Sequence, residues 1–483
     1  MPALRPIFYV VGMLLSVLAA AMVLPALLDW AEGDGHWRVF ALSATATLFV
    51  GVGLVLACQP EGRMEFNVRQ TFLLTTVSWL MVCTFGALPF VLGDLGLSYG
   101  QAFFETMSGL TTTGSTVIVG LDKAPRGILL WRALLLVLGG VGIVVMAVAV
   151  LPFLRIGGMQ LFRAESSDRS DKILPRVSQI AGAIIVVYFV LVILCTGSFW
   201  ALGMTFFDAI CHSFAAISTG GFGTYDDSFG HWNNPALDVA ATIFMLLGGM
   251  TLAIFVRMAQ GDFRPLWRDT QLRWYLSIFL GFTLTFALWH VVVNGAAPLH
   301  ALRAAAFNVA SILTTTGFVS EDYSLWGAYP VVGFFFLTFL GGMTGSTSGG
   351  IKTFRLQVVY AIARAQIDRL MRPHRVSVPS FNGRPVAETV VLSVLTFFTL
   401  YLLSFAVMAM ALAAFGLDII TAASGAATAL ANVGPGLGPV IGPAGNFSTI
   451  PDGALWLLAF GMLLGRLELL TVFVLFTPAF WRD

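Results

Sequence analysis

Ten apolar runs, nearly all long enough to cross a lipid bilayer as a helix, leave this chain few folds to choose from. A hydrocarbon core about 30 Å thick needs about 20 apolar helical residues per crossing. The runs lie at 7–28, 39–58, 71–92, 128–154, 177–200, 237–258, 272–293, 329–340 with a continuation beyond it, 390–415 and 454–476. Of the 483 residues, 58% are hydrophobic and only 11% charged, more apolar surface than one soluble core would bury. The fold class expected is therefore an all-α polytopic membrane protein with about ten crossings. Between alternate pairs of runs lie four shorter stretches, 102–113, 206–219, 304–316 and 419–433. They are too short to span and suit re-entrant segments that dip in and return.

Composition also removes several functional classes. The formal net charge is +1 and no long basic block occurs, so the electrostatic footprint of a nucleic-acid binder is missing. Cys58, Cys83, Cys195 and Cys211 sit in or beside apolar runs without metal-ligand spacing and read as small packing residues. The six histidines form no paired ligand set, and no loop is long enough for a soluble catalytic or nucleotide-binding domain. No organic cofactor and no enzymatic chemistry are expected, because a polytopic membrane enzyme would need a clustered acid, base, nucleophile or metal ligand. The first apolar run follows Arg5 as a signal peptide would, but its length favours an uncleaved transmembrane helix.

Loop charge sets the expected orientation. One short loop carries Arg155, Arg163, Arg169, Lys172 and Arg176, the next Arg264, Arg268 and Arg273, and a third Lys352, Arg355, Arg364, Arg369, Arg372, Arg375 and Arg384. By the positive-inside rule these face the cytoplasm, and both termini lie there too. The alternate loops hold Asp226, Asp227, Glu321 and Asp322 and are expected outside, where they attract cations.

A search for internal repeats yields the sharpest signal. Four segments share one plan: Leu110-Thr111-Thr112-Thr113-Gly114-Ser115, Ile217-Ser218-Thr219-Gly220-Gly221-Phe222, Leu313-Thr314-Thr315-Thr316-Gly317-Phe318 and Leu430-Ala431-Asn432-Val433-Gly434-Pro435. Each follows a re-entrant stretch and precedes a loop and a spanning helix. Taking Gly114, Gly220, Gly317 and Gly434 as the aligned glycines, the unit is helix, pore loop, helix, repeated four times. This predicts an N-terminal helix pair at 1–60 and pore repeats at 61–155, 156–260, 261–372 and 373–483, in pseudo-fourfold arrangement.

The composition of these segments suits a cation. An ion that enters a membrane must lose its water, and converging backbone carbonyls replace that shell. Glycine at positive φ turns a carbonyl toward the axis without a Cβ clash, and neighbouring hydroxyls add oxygens or brace the strand. A short helix ending just before the filter aims its negative end at the pore centre. The candidate ion-binding residues are Thr111, Thr112, Thr113 and Gly114; Ile217, Ser218, Thr219 and Gly220; Thr314, Thr315, Thr316 and Gly317; and Ala431, Asn432, Val433 and Gly434.

With these motifs the chain resembles the Trk/Ktr superfamily of potassium transporters over nearly its whole length, most closely the bacterial TrkH branch. The resemblance rests on residues 103–105 leading into 111–117, and on 218–223, 314–318 and 431–439. It implies a K⁺-selective filter, since glycine in all four filters goes with K⁺ and serine in the first with Na⁺ preference in some plant relatives. It also implies a bacterial inner-membrane homodimer whose opening is set by a cytoplasmic TrkA-type nucleotide-binding partner. Potassium is the only ligand expected, and surrounding lipid the only other partner. An H⁺- or Na⁺-coupled symporter is the alternative, although a proton relay would want chains of acids or histidines within the spans.

The run 341–350 places five glycines where the second helix of the third repeat should be, so that helix must break. A phosphate-binding loop would need glycine before Lys352 and finds Ile351 instead. In the resembling family such a break is a gating loop under the filter, which implies gating roles for Gly345, Ser346, Gly349, Gly350 and Lys352. Arg466 and Glu468 lie mid-helix in the last repeat, at a depth where charge is costly. Arg466 is read as a gate residue that repels a waiting cation while its donors hold carbonyls of the broken segment, with a structural ion pair as the competing reading. Glu105 and Asp208 are expected at the starts of pore helices, as dipole caps or as cation attractors.

Overall fold

The computed structural model describes residues 4–60, 64, 66–149, 177–374 and 378–482. The basic loop from Arg155 to Arg176 lies outside them, as does Arg375. Nearly all the regular structure is helical. The exceptions among the described residues are an isolated bridge between Leu340 and Ile351 and a hairpin pairing Ser380–Phe381 with Arg384–Pro385. That hairpin turns on Asn382 and Gly383, both at positive φ, the pairing a two-residue turn demands.

An N-terminal pair, Arg5–Glu32 and Trp37–Ala57, precedes four units of first helix, short helix and second helix. The short helices are Tyr99–Leu110, Phe206–Ser218, Pro298–Leu313 and Ile419–Ala431. Local sequence starts them: Ser98 and Gln101 form a reciprocal capping box, Thr205 caps the second, and Asp418 accepts from Ile420 and Thr421 in the fourth. The N-terminal pair is tied to the first repeat by Asp29, whose Oδ1 accepts from Gly127 N at 2.7 Å at the start of helix Arg126–Ala149.

Among the described residues six helices are long and apolar enough to cross a membrane, and two bent pairs raise the number to eight. Two of the ten expected runs fall outside that number: 128–154 extends past the described residues, and the second helix of the third repeat is interrupted, as the sequence suggested. It stops at Phe339 and resumes at Thr353. The second helices of the second and fourth repeats, read as continuous, bend by 93° between Pro235–Gly248 and Leu252–Ala259, and by 113° between Asp452–Arg466 and Leu469–Phe476. The causes are local. At the first bend Gly249 and Thr251 give their hydrogen bonds to the third-repeat segment: Gly249 O accepts from Met343 N at 2.8 Å, and Thr251 Oγ1 donates to Thr344 O at 2.7 Å. At the second, Glu468 sits at φ 64° and so cannot continue a helix.

Burial runs opposite to a soluble protein. Large apolar side chains on the long helices face outward, among them Phe49, Ile193 and Leu288, while Glu105, Arg132, Asn308, Thr315, Asn432 and Arg466 are buried. Such an exterior belongs in hydrocarbon, and the interior collects the polar groups that lipid would not solvate. The chain is a multi-pass membrane protein.

Candidate functional site

The four short helices end on one another. After each comes the same backbone sequence: a residue at positive φ, one ordinary residue, then a glycine at positive φ. The leading residues are Thr112, Thr219, Thr315 and Asn432, with φ of 53–59°. Non-glycine residues pay for that conformation, and four of them in equivalent places mark a site rather than an accident. The trailing glycines are Gly114, Gly221, Gly317 and Gly434, with φ of 87°, 65°, 85° and 115°. In the second repeat the equivalent glycine is therefore Gly221, not Gly220, and the four-residue window beginning at Ile217 starts one residue early. The Gly-Gly pair hides this in the sequence; the backbone resolves it, because Gly220 occupies the place of Thr113, Thr316 and Val433.

These positions close a ring. A Cβ on Gly114 would fall closer than 3.0 Å to Gly220 O, one on Gly221 equally close to Thr316 O, one on Gly317 to Val433 O, and one on Gly434 to Thr113 O. Each repeat thus lays its glycine against the carbonyl of the next, and the fourth returns to the first. Side chains fasten the same circle: Ser115 Oγ donates to Gly434 O at 2.7 Å and Asn432 Nδ2 to Thr113 Oγ1 at 3.0 Å. The four glycines line a single cavity of about 70 Å³.

The hydroxyls divide between bracing and facing. Thr111 and Thr314 donate back to Met107 O and Ala310 O, each also lying 2.7 Å from the hydroxyl two residues on, Thr113 and Thr316. Ser218 likewise turns back to Phe214 O at 2.6 Å. Thr112 Oγ1 is buried with no partner. Leu110, Ser218, Leu313 and Ala431 end their helices here, so four negative helix ends face the ring. Above it opens a second cavity of about 420 Å³ with Asp226, Asp227, Glu321 and Asp322 in its wall, an acidic mouth.

Below the ring lies the broken third-repeat segment, residues 340–352. Gly349 N donates to Thr315 Oγ1 at 2.7 Å, and Thr347 Oγ1 to Ile217 O at 2.9 Å, so the segment touches the second and third strands directly. Gly345 and Gly350 turn it at φ 81° and 64°, and the Ser346 and Ser348 hydroxyls pair at 2.7 Å. Lys352 Nζ donates to Ser348 O. Arg466 is buried and its Nη1 donates to Thr347 O at 2.8 Å, while Nε and Nη2 have no protein partner. Glu468 does not pair with Arg466; it takes Arg355 Nη2 at 2.5 Å, and that guanidinium also sits 3.7 Å from the centre of the Phe397 ring. Thus the charged pair adjacent in sequence separates into a carbonyl clamp and an ion pair to the helix leaving the segment.

Neither reading of Glu105 survives in its simple form. It lies mid-helix and fully buried, accepts from Arg132 Nε at 2.8 Å and Val117 N at 2.9 Å, and so binds the strand above the first glycine. Asp208 does sit in the first turn of its helix, yet also accepts from Thr224 Oγ1 at 2.8 Å, a brace of the same kind. Arg132 escaped sequence reasoning: Nη1 donates to Gly223 O at 2.7 Å and the guanidinium lies 4.1 Å from the Phe222 ring centre, linking first and second strands. Glycines of the second helices were missed as well. A Cβ on Gly139 would strike Leu110 O, one on Gly248 would crowd Ile217 O, and one on Gly465 would strike Leu430 O. The signal was present in the repeated Leu138-Gly139-Gly140, Leu247-Gly248-Gly249 and Leu340-Gly341-Gly342.

Comparison with known proteins agrees over the full length. The family model for TrkH, described as a cation transport protein, matches residues 36–482. The Trk system potassium uptake protein TrkI of Halomonas elongata is 43% identical over 481 residues, covering 99% of this chain and 97% of the relative. The Trk system potassium uptake protein TrkH of Escherichia coli is 37% identical over 488 residues, covering 99% of each. The crystal structure of the potassium transporter TrkH from Vibrio parahaemolyticus superposes with a TM-score of 0.92 at 36% identity, covering 100% of both chains.

Proposed function

Because this chain belongs to the TrkH family of cation transport proteins, we propose that it takes up potassium across a bacterial inner membrane through one K⁺-selective filter. The observation that carries the proposal is the closed ring of four glycines and the four carbonyls of Thr113, Gly220, Thr316 and Val433. A ring of backbone oxygens at the negative ends of four helices exchanges an ion's water for fixed dipoles. The family is one of transporters rather than enzymes.

The acidic mouth is the outer entrance. Arg264, Arg268, Arg364, Arg369 and Arg372 belong to the opposite ends of the helices and face the cytoplasm, with both termini. Segment 340–352, held by Arg466 and Lys352, is the gate: it lies across the inner side of the ring and adds positive charge where a cation would leave. Opening it requires pulling the segment from Thr315 and Ile217. A TrkA-type nucleotide-binding protein on the cytoplasmic side supplies that work, and the transporter acts as a homodimer. Rb⁺ and Na⁺ flux into liposomes holding this chain alone, then with the partner, tests the proposal. Expected is Rb⁺ flux well above Na⁺ flux that the partner raises; equal fluxes would remove the selective filter.

A further inference from the structure

We propose that His290, His300 and Glu321 form a site for a zinc-like divalent cation on the wall of the mouth. Three separate segments of the third repeat bring them together: the end of helix Thr270–Asn294, the first turn of Pro298–Leu313 and the bend that follows the filter loop. His300 Nε2 lies 3.3 Å from Glu321 Oε2, and His290 Nε2 lies 3.9 Å from Glu321 Oε1. One ligand atom from each of the three falls within 4.8 Å of the others.

Two imidazoles and one carboxylate are a donor set that first-row divalent ions favour, with metal–ligand bonds of about 2.0–2.2 Å. Ligand atoms around such an ion stand about 3.3–3.6 Å apart if tetrahedral, so a slight inward movement completes three positions and leaves the fourth to water. A separate observation points to a ligand: Glu321 Oε1 is buried and accepts no hydrogen bond, an expensive state for a carboxylate oxygen. The side chains remain reachable, at 12%, 43% and 29% exposure for His290, His300 and Glu321.

Binding through both Nε2 atoms puts the ring protons on Nδ1. There Asn294 Nδ2 now lies 2.8 Å from His290, and Arg303 Nη2 3.1 Å from His300. Asn294 is exposed and can turn its Oδ1 to accept at the expense of its 3.1 Å bond to Trp326 O, while Arg303, a donor only, leaves His300 Nδ1 and keeps its ion pair with Asp238 at 3.3 Å. A bound ion neutralises Glu321 and adds positive charge at the cation entrance.

The test is direct binding to the purified full chain, by Zn²⁺ calorimetry and by the visible absorption of tetrahedral Co²⁺. Expected is one ion per chain, with His300→Ala and Glu321→Gln each weakening affinity about 10-fold or more while thermal melting stays near wild type. His300 is half exposed, so its variant keeps the test valid even where Glu321→Gln misfolds. Wild-type affinity no greater than that of His290→Ala/His300→Ala overturns the proposal. The readout is binding, so it stands apart from the transport reading.

Discussion

Gly220 and Gly221 are adjacent, share a residue type, and do different work. Gly221 has φ 65° and its missing Cβ faces Thr316 O; Gly220 has an ordinary φ, and a Cβ there meets the tip of Leu136 first. Alanine at 221 therefore costs about 1–2 kcal/mol of backbone conformation and also displaces a carbonyl of the ring. Alanine at 220 needs the Leu136 side chain to shift and Thr112 Cβ, 3.2 Å away, to give by a few tenths of an ångström, with no backbone strain. Gly221→Ala is expected to reduce Rb⁺ over Na⁺ discrimination at least tenfold in liposome flux, and Gly220→Ala to keep most of it. The reverse order would mean that the filter register is that of Gly220.

At the scale of elements, the second helices matter most. Among the described residues three of them break, and the breaks interlock: the third-repeat segment supplies partners to Gly249, Thr251 and Leu252 of the second and receives Arg466 from the fourth. A segment held by hydrogen bonds from three repeats has two ways to fail, by losing its clamp or its hinge glycines. Arg466→Gln keeps bulk and polarity but removes the charge and shortens the reach to Thr347 O. Basal Rb⁺ flux without the partner is expected to rise several-fold, with a smaller further increase when the partner is added. A folded variant with wild-type basal flux and regulation would leave Arg466 a packing role only.

For the whole molecule, the ring exists only when all four repeats are docked, so an ion bound there stabilises the assembled bundle and not its parts. Linkage gives about 2.7 kcal/mol at a hundred times the dissociation constant. The purified protein is expected to melt at a higher temperature in KCl or RbCl than in NaCl of equal concentration, and Gly221→Ala to abolish the difference. Identical melting curves for wild type in K⁺ and Na⁺ would argue against a selective site that all four repeats build.

Apolar run length, loop charge and the fourfold Gly-containing motif were determined by the sequence alone, because each depends on residues close together in the chain. Membrane class, repeat number, pore-helix positions and the glycine-rich break of the third repeat were legible for that reason. Three features needed the tertiary structure. The glycine register in the second repeat depends on which carbonyl of a neighbour fills the space beside it, and Thr316 is 95 residues from Gly221. The bends near Gly249 and Glu468 arise where backbone groups and a side chain find better partners in the third repeat than in their own helices. The partners of Glu105, Arg132 and Arg466 were fixed by packing, since a buried charge takes whatever donor or acceptor the fold carries to it, and sequence spacing holds no record of that distance.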